Sequence, residues 1–152
     1  MKSLKLIVVL LFNLWFSLTI YSQGCRDFIK TKNFNISNPG TYLIYGQSRS
    51  ESVEVRKTYN FEIVFYGQKE YLLGIATEER FEPVHFRIIE NQSHKVLYDN
   101  QKYQYKATVN FFIEKTQNIT IEVTIIASDE DASLSKNIMT CLGIKILNQS
   151  IN

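Results

Sequence analysis

Acid–base or nucleophilic catalysis needs ionisable groups that a fold can bring within hydrogen-bond reach of one another. The 152-residue chain offers few: two histidines, His85 and His94, and two cysteines, Cys25 and Cys141. His85 stands between Val84 and Phe86 on the polar phase of an alternating run, which predicts a solvent-facing side chain, and His94 falls in a turn. Neither belongs to a G-x-S-x-G, H-E-x-x-H or comparable motif. No catalytic residue and no cofactor site is assigned, and a non-enzymatic role is the expectation.

The carboxylates are better grouped. Asp129-Glu130-Asp131 lies in the loop 128–137, and Glu78-Glu79 with Glu82 lies in another. Hard cations such as Ca²⁺ take oxygen ligands from loops, so Asp129 and Asp131 are the weak metal candidate. The cluster lacks D-x-D-x-D-G spacing with a distant Glu, and a solvated acidic loop is the plainer reading.

Aromatic side chains offer a second kind of chemistry. Exposed rings on a sheet face or loop rim stack on sugars, and Tyr45, Tyr66 and Tyr103 fall at predicted strand ends where this could happen. Tyrosine is also a favoured strand residue that packs across strands while its hydroxyl reaches water, and that reading weighs more. Four N-x-S/T sequons, at Asn35, Asn91, Asn118 and Asn148, mark surface positions only if the chain passes through a glycosylating secretory route.

The elements that would position these groups follow an export leader. Lys2 and Lys5 precede the apolar run Leu6 to Leu18 and a more polar stretch to Ser22, so residues 1–22 are expected to be a signal peptide. The apolar run is too short to cross a bilayer core of about 30 Å comfortably, which argues against a permanent transmembrane anchor. The protein is therefore expected to be secreted or periplasmic.

Of 17 Lys and Arg, two lie in the leader, which leaves 15 against 15 Asp and Glu in residues 23–152. A neutral domain lacks the basic surface that releases counterions from nucleic acid, so nucleic acid is excluded as a partner. Residues 23–152 suffice for one core and are too few for two ordinary domains.

An even cysteine count in an exported chain points first to a Cys25–Cys141 disulfide. In the chain-entropy view, closing so long a loop stabilises a fold by about 4–5 kcal/mol, less any strain. Two alternatives stay open: lipidation of Cys25, which Gly24 suits but Ser22 and Gln23 do not, and a pair of buried free thiols.

The dominant period along residues 23–152 is two. Tyr103, Tyr105, Ala107, Val109, Phe111 and Ile113 alternate with polar residues, and Ile119, Ile121, Val123, Ile125 and Ala127 do the same. The short polar link Glu114 to Asn118 between them predicts an antiparallel hairpin. Further strands are expected at 42–45, 53–55, 61–65, 71–76, 84–88, 95–98 and 138–147, with turn signals at Asn38-Pro39-Gly40, Gly67 to Glu70 and Asn91 to His94. No long stretch has helical spacing and a cap, so helix content should be near nil. Eight or nine strands at this spacing predict an all-β, antiparallel, jelly-roll-like β-sandwich.

The block Tyr59 to Ile75 (YNFEIVFYGQKEYLLGI) looks like the strand, glycine turn, tyrosine, strand element of small secreted bacterial β-sandwiches, and with Val84 to Glu90, Lys95 to Asn100 and Asn118 to Ala127 it is similar in order to the pre-peptidase C-terminal type of domain. That resemblance is one of pattern over most of residues 23–152, and Cys25 and Cys141 are not part of the family's usual pattern. It implies an accessory jelly-roll-like sandwich and carries over no catalytic residue. Together these readings lead to an exported, non-enzymatic binding or accessory module of the envelope or secreted fraction, with a polysaccharide or an envelope protein as partner. The rival is a secreted inhibitor or effector acting on a partner protein.

Overall fold

Alternating residues bury one face of each strand, and a sheet with one greasy face must pair with a second. The computed structural model, which describes residues 24–34, 36, 41–126 and 137–150, resolves this need as two facing antiparallel sheets. Nine strands follow a one-turn helix α1 (Phe28–Thr31): β1 (Leu43–Ile44), β2 (Arg49–Glu54), β3 (Thr58–Phe65), β4 (Lys69–Thr77), β5 (Val84–Glu90), β6 (Val96–Asp99), β7 (Thr108–Ile113), β8 (Gln117–Ile125) and β9 (Met139–Ser150). Short 3₁₀ turns occupy Glu79–Phe81 and Asn100–Tyr103. The leader, residues 1–22, lies outside the described residues.

Strand pairing is nested. β2 pairs with β9, β3 with β8, β4 with β7 and β5 with β6, as in one long hairpin whose tip is the turn after β5. Two further pairings, β4 with β9 and β5 with β8, roll that ribbon around the core. One sheet then has the order β1-β9-β4-β7, with β2 also along β9, and the other has β3-β8-β5-β6. This is the jelly-roll-like sandwich that the alternation predicts.

The hairpin expected between Tyr103–Ile113 and Ile119–Ala127 does not form. β7 joins β4 in one sheet while β8 joins β3 and β5 in the other, so residues 114–116 carry the chain across the core. Both strands show the same alternation whichever way they pair, and crossing gives β8 two neighbours in place of one. β7 is also shorter than its pattern suggests, because the 3₁₀ turn and two successive left-handed residues, Gln104 (φ 55°) and Tyr105 (φ 54°), bend the chain ahead of it.

The core is built from alternate residues of both sheets. Phe61, Ile63 and Phe65 of β3 and Ile119 to Ile125 of β8 face Tyr71, Leu73 and Ile75 of β4 and Leu142, Ile144 and Ile146 of β9. Along β3 and β8 burial alternates with exposure as in the sequence, whereas β4 and β9 are buried on both faces over much of their length.

That second burial is the work of the N-terminal arm, residues 24–34 with Ile36. A Cβ on Gly74 would meet Ile36 Cδ1 at 2.6 Å and Phe34 Cδ1 at 3.2 Å; one on Gly143 would meet Phe34 Cζ at 2.7 Å and Phe28 Cδ1 at 3.0 Å. Glycine at both places opens a trough in the outer face of the larger sheet, and the arm's aromatic rings fill it. The Cys25–Cys141 disulfide pins the arm there, with the two Cα atoms 5.2 Å apart.

Candidate functional site

The nested topology gathers three connections at one end of the sandwich: 66–68 between β3 and β4, 91–95 between β5 and β6, and 114–116 between β7 and β8. They are tied together by short-range chemistry. The Gly67 N–H donates to Thr116 Oγ1 at 3.0 Å, and Gln68 Nε2 donates to the Glu114 carbonyl at 2.9 Å. The Asn91 N–H donates to the Asn118 carbonyl at 3.3 Å, and Thr120 Oγ1 donates to Asn91 Oδ1 at 2.7 Å. A Cβ on Gly67 would lie 2.8 Å from the Glu114 carbonyl oxygen, so only glycine allows the two turns to touch. The end is thereby held in one arrangement.

This end also carries apolar side chains that the core does not use. Leu43 and Ile44, consecutive on the edge strand β1, are 72% and 69% exposed, and Tyr66, Val96, Leu97 and Phe112 are exposed at the same end. Of the large apolar residues that are exposed among the described ones, only Tyr103, Ile126 and Met139 lie elsewhere. Leu43 and Ile44 lie on the β1 edge of the larger sheet and Phe112 on its β7 edge, with β9 and β4 between them.

Between β6 and β7 the two sheets part. Each strand is hydrogen-bonded on one side only, to β5 and β4 respectively. The opening is a groove of about 640 Å³ whose walls include Ile88, Leu97, Tyr98, Val109, Phe111 and Phe112. On the opposite margin the chain crosses from β2 to β3, with Val55 N–H donating to the Ile138 carbonyl at 2.9 Å beside β9 and Arg56 N–H to the Ile125 carbonyl of β8 at 3.0 Å.

The tyrosines singled out in the sequence separate. Tyr45 packs against Phe65, Tyr66 and Tyr71, and its hydroxyl donates to the Val64 carbonyl at 2.5 Å while accepting from Gln47 Nε2 at 2.9 Å. Burial pushes its phenol above the usual tyrosine value, with Gln47 opposing the shift. Tyr66 meets Tyr45 edge-on and stays half exposed. Tyr103 follows β6, at the far margin of the smaller sheet, and stacks on Tyr98 with centroids 5.1 Å apart. Tyr45 and Tyr66 are brought together; Tyr103 is not.

Asp129 and Asp131 lie outside the described residues. Among the described residues no three His, Cys, Asp or Glu side chains are grouped to hold a metal ion. His85 is half-buried, and its Nε2 donates to Asp99 Oδ1 at 3.0 Å. Burial tends to raise the Asp99 carboxyl, but the His85 hydrogen bond, the Gln101 amide and the nearby positive charges hold it below its ordinary value. The pair sits where β5 begins, away from the apolar end, and Asp99 caps the 3₁₀ turn through Gln101 N–H at 3.1 Å.

Sequence reading missed the apolar end itself. Its signals are local breaks in the period-two pattern: Leu43-Ile44, Val96-Leu97 and Phe111-Phe112 each place large apolar residues on both phases of a strand. Such doublets also arise in strands covered on both faces, as in β4 and β9, so the pattern becomes a surface signal only once the sheet order is known.

No helix among the described residues is long and apolar enough to cross a membrane. No family model matches the chain, and no curated protein matches it by sequence. Among solved structures it is similar to PliG of Aeromonas hydrophila, a periplasmic lysozyme inhibitor of g-type lysozyme, at 10% identity and a TM-score of 0.47, over 67% of this chain and 84% of that one.

Proposed function

We propose that the chain is an exported, non-catalytic binding module that engages a partner protein through the apolar end of its sandwich. The observation that carries this reading is the exposure of Leu43, Ile44, Tyr66, Leu97 and Phe112 at an end whose turns are hydrogen-bonded to one another. Rigid surfaces lose little entropy on docking, and apolar side chains buried against a partner supply the energy. The disulfide suits an oxidising compartment. The test is chemical cross-linking of the purified protein within the extracellular and envelope fractions of its own source. Wild type is expected to give a discrete adduct that Leu97→Asp with Phe112→Asp abolishes while the Tm is kept. An adduct unaffected by that pair, or tight polysaccharide binding lost in Tyr66→Ala, would overturn the assignment.

One feature favours the narrower reading that the partner is an enzyme and the module its inhibitor. Leu43 and Ile44 project to opposite faces of a two-residue edge strand, both exposed, so that this edge offers an apolar side chain on either side to a concave apolar site. Inhibition measured across a panel of secreted hydrolases, g-type lysozyme among them, and abolished by Ile44→Asp, is the expected outcome. An inert result across proteases and glycosidases would leave the broader module and remove the inhibitor.

A further inference from the structure

The N-terminal arm is a separable element, and its attachment has two independent parts. One is the filled trough: Phe28, Phe34 and Ile36 rest where Gly74 and Gly143 leave no side chain. Around it, Ile29 N–H donates to Ser50 Oγ at 2.9 Å and Lys32 Nζ pairs with Glu82 Oε1 at 3.0 Å. The other part is the Cys25–Cys141 bond. α1 has only four residues, too few to persist as helix without a surface to lie on. Neither cysteine belongs to the apolar cluster shared by the two sheets.

From this placement we infer that the disulfide is a redox-sensitive latch: its reduction frees the arm and uncovers the trough on the outer face of the larger sheet, while the sandwich stays folded. The bond is approachable from one side. Cys25 is half-exposed, whereas Cys141 is buried beneath the arm. A thiolate of a dithiol reductant attacks Cys25 Sγ, the bond to Cys141 breaks, and Cys141 leaves as the thiolate. The reagent's second thiolate then resolves the mixed disulfide, so the protein gains two thiols and the reagent becomes a disulfide. With its pin gone, the arm is held by the trough and a few polar contacts alone. The surface it leaves is the outer face at Gly74, Ala76 and Gly143, where the arm's apolar side chains had rested, with Ser50 and Lys145 beside it. In an oxidising compartment that face stays shut, and its occupant is the arm itself.

The arm contains its own reporters, because Arg26, Lys30 and Lys32 are trypsin sites. The experiment compares tryptic cleavage at these positions with and without a dithiol, together with hydrogen exchange at Ile75, Ile121 and Ile144 in the core. On reduction, arm cleavage is expected to accelerate by about tenfold or more, with the core amides still protected and fluorescence of an apolar dye increased. Cys25→Ser is expected to behave in the same way without reductant. Gly143→Leu, which places a side chain against Phe34 and Phe28, is expected to expose Lys30 and Lys32 with the bond intact. Arm cleavage unchanged by reduction and by Cys25→Ser, or core protection lost together with the arm, would overturn the latch.

Discussion

The phenol of Tyr71 closes the turn that precedes it, accepting a hydrogen bond from the Tyr66 N–H at 2.9 Å and donating one to the Tyr66 carbonyl at 3.2 Å. Tyr59 does half the same work five residues after Glu54, accepting from the Glu54 N–H at 2.7 Å. In both places a ring anchored among apolar neighbours uses its hydroxyl to satisfy backbone where the chain passes from strand to strand. Tyr71→Phe keeps the buried ring and strands the Tyr66 amide. Stability should fall by about 1–2 kcal/mol, read as a lower urea midpoint at an unchanged slope; an unchanged midpoint would mean that water replaces the phenol.

Asn100 is the other polar group on which the core margin depends. It is fully buried, accepts from the Phe86 N–H at 2.9 Å and donates to the Val84 carbonyl at 2.8 Å, so its carboxamide pairs with the edge of β5 as a strand residue would. Asn100→Leu fills similar space and leaves both backbone groups unpaired. The expected loss is about 2–4 kcal/mol, measured by denaturant unfolding, with hydrogen exchange at Phe86 accelerated first.

Acid should act through Asp99. Its carboxyl is held below the ordinary value of 3.8 in the folded protein, chiefly by His85 and the Gln101 amide working against burial. A carboxylate with a depressed folded pKa contributes its full stabilisation above its unfolded pKa and loses it as the pH falls through the folded value. Wild type should therefore lose stability on acidification below pH 3.8. Asp99→Asn should show a shallower acid limb there, in urea midpoints collected between about pH 2 and 7. Superimposable limbs would place the acid-sensitive group elsewhere.

Gly67→Ala tests whether the apolar end is held rigid by contact between turns. The new Cβ would sit 2.8 Å from the Glu114 carbonyl oxygen and 3.0 Å from Lys115 Cα. The turns must part, at an expected cost of about 1–3 kcal/mol. Hydrogen exchange at the Gly67 position's neighbours and at Asn118 should rise while β9 stays protected; no change in either would show that the turns yield without effect.

How far the fold was legible follows from what each strand contacts. β8 alternates cleanly because one face is core and the other is water, and its burial matches its sequence. The cysteines were legible because an expected export leader and an even count narrow their chemistry, and the two are bonded in the fold. Partner choice was not: the short polar links after β3 and after β7 read as ordinary turns, and both carry the chain from one sheet to the other. Nor could Leu43-Ile44 be told from Leu72-Leu73, since an apolar doublet looks the same in a central strand and on an exposed edge.

β9 has a consequence for how the molecule is made. It lies between β4 on one side and β1 with β2 on the other, so three earlier strands wait for a segment that is synthesised after all of them. Until residues 139–150 emerge, the larger sheet lacks its middle, and the disulfide lacks its second sulfur. Such an order defers cooperative closure of the larger sheet until the last strand is complete.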